Sequence, residues 1–115
     1  MILYKIDKKI LNNPNLKETD NTYALEKDKK VLGYGIISQN RNNIIEIFIK
    51  EEERGNGYGK LLFGKMLEQL KRENYKDIKL TIKKENYRMK NIIIFYGGQQ
   101  LHATPLEESY ILPIK

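Results

Sequence analysis

Arg54-Gly55-Asn56-Gly57-Tyr58-Gly59-Lys60 stands between an apolar run, Ile44 to Lys50, and a helical repeat that ends near Leu70. Three glycines alternate with other residues just before the repeat begins, so the backbone there can take positive φ and let another group approach closely. Past the turn, Gly59, Leu62, Phe63, Met66, Leu67 and Leu70 recur at the spacing of one helix face, with Lys60, Glu68, Lys71 and Arg72 opposite. The helix is therefore expected to be half buried, with its first turn at the glycines. Free N–H groups at a helix start, with the positive end of its dipole, form a ready anion site.

Three phosphate-binding patterns compete for such a turn. A Walker-type loop needs Gly at the place of Arg54 and Ser or Thr at the place of Leu61, so it fails twice. A dinucleotide fingerprint built on Gly55 and Gly57 needs a third Gly where Lys60 stands. The spacing Arg-x-x-Gly-x-Gly does fit, and with it Ile49-Lys50-Glu51-Glu52-Glu53-Arg54-Gly55-Asn56-Gly57-Tyr58-Gly59 resembles, without a gap, the strand end, link and acyl-coenzyme A pyrophosphate loop of the GNAT superfamily of N-acetyltransferases.

Composition narrows the alternatives. At 115 residues the chain suits one domain, 1–115. No stretch approaches the roughly 20 apolar residues of a membrane span, and the first residues carry no apolar signal region, so a cytoplasmic protein without membrane partners is expected. Zero cysteines exclude a disulfide framework and a cysteine nucleophile, and a single histidine, His102, argues against a metal site. The net charge of +6 favours an anionic ligand: a coenzyme, a nucleic acid or an acidic substrate. Basic residues are spread along the chain without aromatic interleaving, which counts against single-strand nucleic-acid binding.

Taken in order, Ile2, Tyr4 and Ile6 alternate as in a short strand, Asp7 to Leu11 suits one helical turn, and Asn12-Asn13-Pro14-Asn15 breaks it. Thr22 to Lys27 and Lys30 to Ser38 read as a hairpin joined at Asp28-Lys29, with Gly33 and Gly35 leaving one face of the second strand nearly bare. A polar turn, Gln39 to Asn43, leads to Ile44 to Lys50. That strand carries Ile45, Ile47 and Ile49 on one face and Ile44, Glu46, Phe48 and Lys50 on the other, which sets Glu46 among apolar neighbours. After the helix, Asp77 to Ile82 alternates cleanly, so the strand-helix-strand order implies a parallel pair with a right-handed crossover. Asn86 can cap a second helix whose Met89, Ile92, Ile93 and Tyr96 share a face, and Gly97-Gly98 ends it. Gln99 to Ala103 and Glu107 to Ile114 close the chain as a hairpin around Thr104-Pro105.

This order is similar to the GNAT order from its second strand onward, over roughly Thr22 to Ile114. The resemblance implies a mixed α/β (α+β) fold: a mostly antiparallel sheet whose central parallel pair splays around the coenzyme, with helices on both faces. It implies acetyl-coenzyme A as cosubstrate, no metal, and direct acetyl transfer to a primary amine on a small molecule or peptide. The acyl-pantetheine arm would run along the strand at Phe48 and Ile49. The pyrophosphate would rest on the amides of Arg54, Gly55, Asn56, Gly57, Tyr58, Gly59 and Lys60, with Asn86 as a further coenzyme contact.

Direct transfer needs a base for the amine, a donor for the carbonyl oxygen and a proton for the departing thiolate. Glu46 suits the first, since a carboxylate beside apolar groups tends to hold its proton more tightly. Tyr96 matches the tyrosine that, in the family, often protonates the thiolate, and a core aromatic role fits its helix face equally well. Glu46 as a partner of a nearby lysine, and His102 as strand surface, are the corresponding plain roles. Glu51, Glu52 and Glu53 suit a solvated link better than a role in attracting the acceptor, and Lys60, Lys83 and Lys84 are candidates for phosphate contacts of the kind any lysine-rich surface offers. The family usually places two helices between its first two strands, where this chain has only Asp7 to Asn21. The acceptor pocket is thus expected to be open or completed by a second subunit, which leaves a homodimer, or a coenzyme-binding domain without turnover, as alternatives.

Overall fold

The computed structural model describes residues 1–7, 20–38 and 43–115, which form β1 (Ile2–Ile6), β2 (Asp20–Lys27), β3 (Lys30–Ser38), β4 (Asn43–Ile49), α1 (Tyr58–Arg72), β5 (Asp77–Lys83), α2 (Tyr87–Phe95), β6 (Gln99–Ala103) and β7 (Glu107–Pro113). The helical turn expected from Asp7, the break at Asn12 to Asn15 and most of the turn from Gln39 lie outside the described residues. The chain divides into two compact units, Met1–Met66 and Leu67–Lys115, with the division inside α1.

In the first unit a four-stranded sheet runs in the order β1-β2-β3-β4, every ladder antiparallel. Asp28 and Lys29, at φ 52° and 65°, make the two-residue turn between β2 and β3. Positive φ at both central residues matches the turn twist to the strand twist. The bare face expected at Gly33 and Gly35 has a specific use. A Cβ on Gly35 would fall on the Met66 thioether of α1, well inside contact distance, so its absence lets the helix lie directly on the sheet. Leu62, Phe63 and Met66 on that helix are fully buried, as are Leu25 and, at 1% exposure, Ile37 of the sheet. Burying each such side chain contributes about 1.5–3 kcal/mol.

The second unit holds a three-stranded antiparallel sheet, order β5-β7-β6. Inward residues alternate along β5 (Ile78, Leu80, Ile82) and β7 (Glu108, Tyr110, Leu112), while all of β6 is exposed. The expected terminal hairpin is present, and Thr104 Oγ1 accepts from the Glu107 amide at 3.0 Å to close it. Both helices end in the same way. Tyr75 N–H bonds Leu70 O and Asn74 N–H bonds Lys71 O after α1, with Asn74 at φ 68°. Gly98 N–H bonds Ile93 O and Gly97 N–H bonds Ile94 O after α2, with Gly97 at φ 96°. These paired bonds satisfy carbonyls that a helix end otherwise leaves open.

β4 and β5 are each an edge strand of its own sheet, and among the described residues the two share no ladder. On α2, Ile93 is buried, Met89, Ile92 and Tyr96 are half-buried, and Ile94 and Phe95 are exposed.

Candidate functional site

The loop is built from internal hydrogen bonds that leave the helix start open. Glu51–Glu53 make one 3-10 turn, with Glu53 N–H on Lys50 O at 2.9 Å and Arg54 N–H on Glu51 O at 3.3 Å. Asn56 Nδ2 donates to Glu53 O at 3.2 Å. Gly55 and Gly57 sit at φ 85° and 78°, and a Cβ at either would meet nothing within 4 Å. The first helical bond runs from Leu61 N–H to Gly57 O at 3.2 Å, so the amides of Tyr58, Gly59 and Lys60 precede it. An open glycine backbone that leads into a helix start suits a phosphate. Of the seven loop positions expected to meet the pyrophosphate, Arg54 commits its amide, and Asn56 its side chain, to holding the loop's own shape.

Along β4 the hydrogen-bond alternation decides which groups face outward. Lys50 N–H bonds Leu32 O at 2.9 Å, and Phe48 and Glu46 lie opposite Tyr34 and Ile36 in the same phase. In an antiparallel ladder the intervening residues then turn their amides and carbonyls away from the partner strand. Those residues are Ile47 and Ile49, so the outward amide at the expected coenzyme strand is that of Ile49, while Phe48's is directed at β3. Arg54 confirms the phase: its Nε donates to Ile49 O at 3.0 Å, and its guanidinium stands 5.7 Å from the Phe48 ring centroid.

Glu46 is exposed, on the β4 face it shares with exposed Phe48 and opposite buried Ile36. The enclosed apolar setting expected for it is therefore absent, because β4 is an edge strand. Tyr96 is the C-terminal cap of α2, half-buried, its ring edge-on to Phe95 at 5.0 Å. Burial, then the Glu68 carboxylate, push its hydroxyl above the ordinary tyrosine value, so it stays protonated at neutral pH. Asn86 does cap α2, its Oδ1 accepting from Met89 N–H at 3.2 Å. His102 lies exposed on β6, opposite Ser109, and Lys83 and Lys84 are exposed.

Two clusters were not foreseen. Glu53, expected in a solvated link, is ion-paired with Lys30 at the β2–β3 turn, which fastens the link to the hairpin. In the second unit Glu108, 9% exposed, receives the Tyr110 hydroxyl at 3.0 Å and Lys90 Nζ at 3.2 Å. Burial pushes the Glu108 carboxyl up, but Tyr110 and Lys90 outweigh it and hold it below its ordinary value. The available signal was a carboxylate in the inward phase of Glu108, Tyr110 and Leu112. Among the described residues no group of three or more His, Asp or Glu side chains could hold a metal ion, and no helix is long and apolar enough to cross a membrane.

Solved structures share this fold. The spermidine N-acetyltransferase of Vibrio cholerae, in complex with CoA and spermine, superposes with a TM-score of 0.77 at 12% identity over 98% of this chain and 95% of that one. A GNAT family acetyltransferase from Elizabethkingia anophelis with acetyl-CoA bound gives 0.73 at 11% identity over 97% of each chain. The ribosomal-protein-S18-alanine N-acetyltransferase of Escherichia coli gives 0.74 at 15% identity over 96% of this chain and 78% of that one. Curated protein sequences provide no significant match. The sequence profile of the Acetyltransferase (GNAT) family matches residues 3–93, so the chain belongs to the GNAT family of acetyltransferases.

Proposed function

We propose that this chain moves the acetyl group of acetyl-coenzyme A directly to a primary amine. The observation that carries the reading is the loop from Arg54 to Lys60, which reaches the start of α1 through two side-chain-free positions at positive φ with nothing within 4 Å of either. The open backbone at Gly55 and Gly57, directly ahead of the helix start, suits the pyrophosphate. The outward amide and carbonyl of Ile47 suit the pantetheine amides, and the Ile49 N–H suits the thioester oxygen as charge builds on it.

Bound acetyl-coenzyme A supplies the activated acetyl group. Glu46 takes a proton from the acceptor ammonium, directly or through water as its exposure permits, and so frees the lone pair of the amine that attacks. The C–N bond forms, the C–S bond breaks, and the proton that the thiolate then needs is assigned to Tyr96, whose hydroxyl holds its proton at neutral pH.

Calorimetric titration with acetyl-coenzyme A, against coenzyme A and ATP as controls, tests the reading together with thiol release over a panel of amines. Micromolar binding of both coenzyme forms, much weaker ATP and amine-dependent thiol release are expected. Tight coenzyme binding with no thiol release from any amine would reduce the chain to a coenzyme-binding domain, and no coenzyme binding would end the proposal.

A further inference from the structure

The link that leads from β4 into the glycine loop is tied to the first sheet by more than its own chain. Lys50 N–H bonds Leu32 O on β3 at 2.9 Å, Arg54 Nε donates to Ile49 O at 3.0 Å, and the Lys30 ammonium pairs with the Glu53 carboxylate. Lys30 is the first residue of β3 and stands opposite Lys27 across the two-residue turn of Asp28 and Lys29, so the ladder sets its backbone. The hairpin is thus the fixed end of the pair, and the link is the end it holds. Glu53 also bonds on both sides of its own peptide units: its N–H meets Lys50 O at 2.9 Å, and its carbonyl accepts from Asn56 Nδ2 at 3.2 Å. Its side chain is 14% exposed, against 59% for that of Lys30. Beyond Arg54 the chain has little to hold it. Gly55 and Gly57 lie at positive φ, and a Cβ added at either would meet nothing within 4 Å. Glycine has the widest backbone freedom of any residue, so a loop built on it keeps one shape only where its ends are held.

We infer that the Lys30–Glu53 pair is a positioning clamp for the coenzyme loop: it holds Glu53, and through it Asn56, so that the backbone of Gly55 and Gly57 has its phosphate-binding shape before acetyl-coenzyme A arrives. The coenzyme part of the inference rests on the phosphate-loop reading of Arg54 to Lys60, whereas the hold on the loop's shape does not. Ordering a loop in advance strengthens binding, because the ligand no longer has to supply that ordering. An exposed ion pair adds little to global stability. Here it acts on a segment that can open while the sheet stays folded, and there a small contribution changes the share of molecules ready to bind. The sign of the charge separates a clamp from an ordinary surface pair. Glu51, Glu52 and Glu53 set three carboxylates beside a site for an anion, which by Coulomb's law alone opposes phosphate binding. Removing the Glu53 charge therefore strengthens binding if the pair is only surface charge, and weakens it if the pair is a clamp. The hydrogen bond to Glu53, then its charge, with Glu52 and Tyr58 adding, raise the Lys30 ammonium above its ordinary value, so it stays protonated across the neutral range.

The test compares the whole protein with Glu53→Gln, Lys30→Met and Lys30→Arg by calorimetric titration with acetyl-coenzyme A, by melting temperature, and by amide exchange without coenzyme. The reporters of exchange are Arg54 and Leu61, whose N–H groups bond Glu51 O and Gly57 O. Glu53→Gln and Lys30→Met should each weaken acetyl-coenzyme A binding about fivefold and speed exchange at both reporters by a similar factor, with melting within about 2 °C of the wild type. The double variant should be no weaker than either single one, as when both remove the same interaction. Lys30→Arg should restore wild-type affinity and exchange. In a protein that binds acetyl-coenzyme A, tighter or unchanged binding by Glu53→Gln would overturn the inference, and so would unchanged exchange in both charge-removing variants. Faster exchange in both, in a protein that ignores acetyl-coenzyme A, would keep the clamp and sink the phosphate-loop reading instead.

Discussion

Arg54 Nε donates to the Ile49 carbonyl at 3.0 Å, which fastens the first residue of the glycine loop to the outward edge of β4. One guanidinium thereby sets the distance between the amides that suit a pyrophosphate and the strand groups that suit a thioester arm. The same group lies over the Phe48 ring at 5.7 Å from its centroid.

Gly57→Arg should weaken acetyl-coenzyme A binding more than about a hundredfold, about 2.8 kcal/mol at 1.4 kcal/mol per factor of ten. The position is open and at φ 78°, so a side chain extends into the space that suits the phosphates. The positive φ alone should cost about 1–2 kcal/mol of stability. Calorimetry and thermal melting separate the two effects, and unchanged affinity would remove the loop from the site.

Tyr96→Phe should slow transfer by about a hundredfold or more, the range of a lost general acid, with coenzyme affinity retained. Its hydroxyl titrates above the ordinary tyrosine value because of burial and Glu68, so in the wild type this group should cause no loss of kcat until the pH passes that value. A single-turnover rate equal to that of the wild type would return Tyr96 to a packing role.

Gly35→Ala should destabilise the fold by about 1–3 kcal/mol, because its methyl group would fall on the Met66 thioether. Met66→Ala alone should cost about 2–5 kcal/mol for the cavity it leaves. Combined, the two should cost less than their sum by at least about 0.5 kcal/mol, as residues in contact do. Denaturant melts of the four proteins measure the coupling, and strict additivity would refute the close approach.

Glu108 should make the fold sensitive to acid. Its carboxyl is held below its ordinary value when folded, so its stabilising effect is complete above the unfolded value and lost as pH falls through the folded one. Lys90 has the opposite sign: hydrogen bonding to Glu108, then its charge, raise it, so its contribution is lost only as pH rises through the raised value. Glu108→Gln should melt at a lower temperature than the wild type at neutral pH and show a flatter melting profile toward acid. Parallel acid profiles would place the acid response elsewhere.

The elements themselves were legible because their causes are local. The apolar spacing from Leu62 to Leu70 requires a helix face, alternation along Asp77 to Ile82 requires a half-buried strand, and Gly97-Gly98 requires a helix end, all within a few residues. The glycine loop was legible for the same reason, since positive φ and an open helix start depend on neighbours in the chain. What only the tertiary structure decided depends on register between strands far apart in sequence. Tyr4, Ala24, Tyr34 and Phe48 become one row only when three ladders pair them, and Ile49 rather than Phe48 turns its amide outward only because Lys50 bonds Leu32. Glu46 reads as enclosed from its sequence neighbours, yet the edge position of β4 exposes it. Likewise Lys90 and Glu108 meet across a helix and a strand, through a contact that no spacing along the chain encodes.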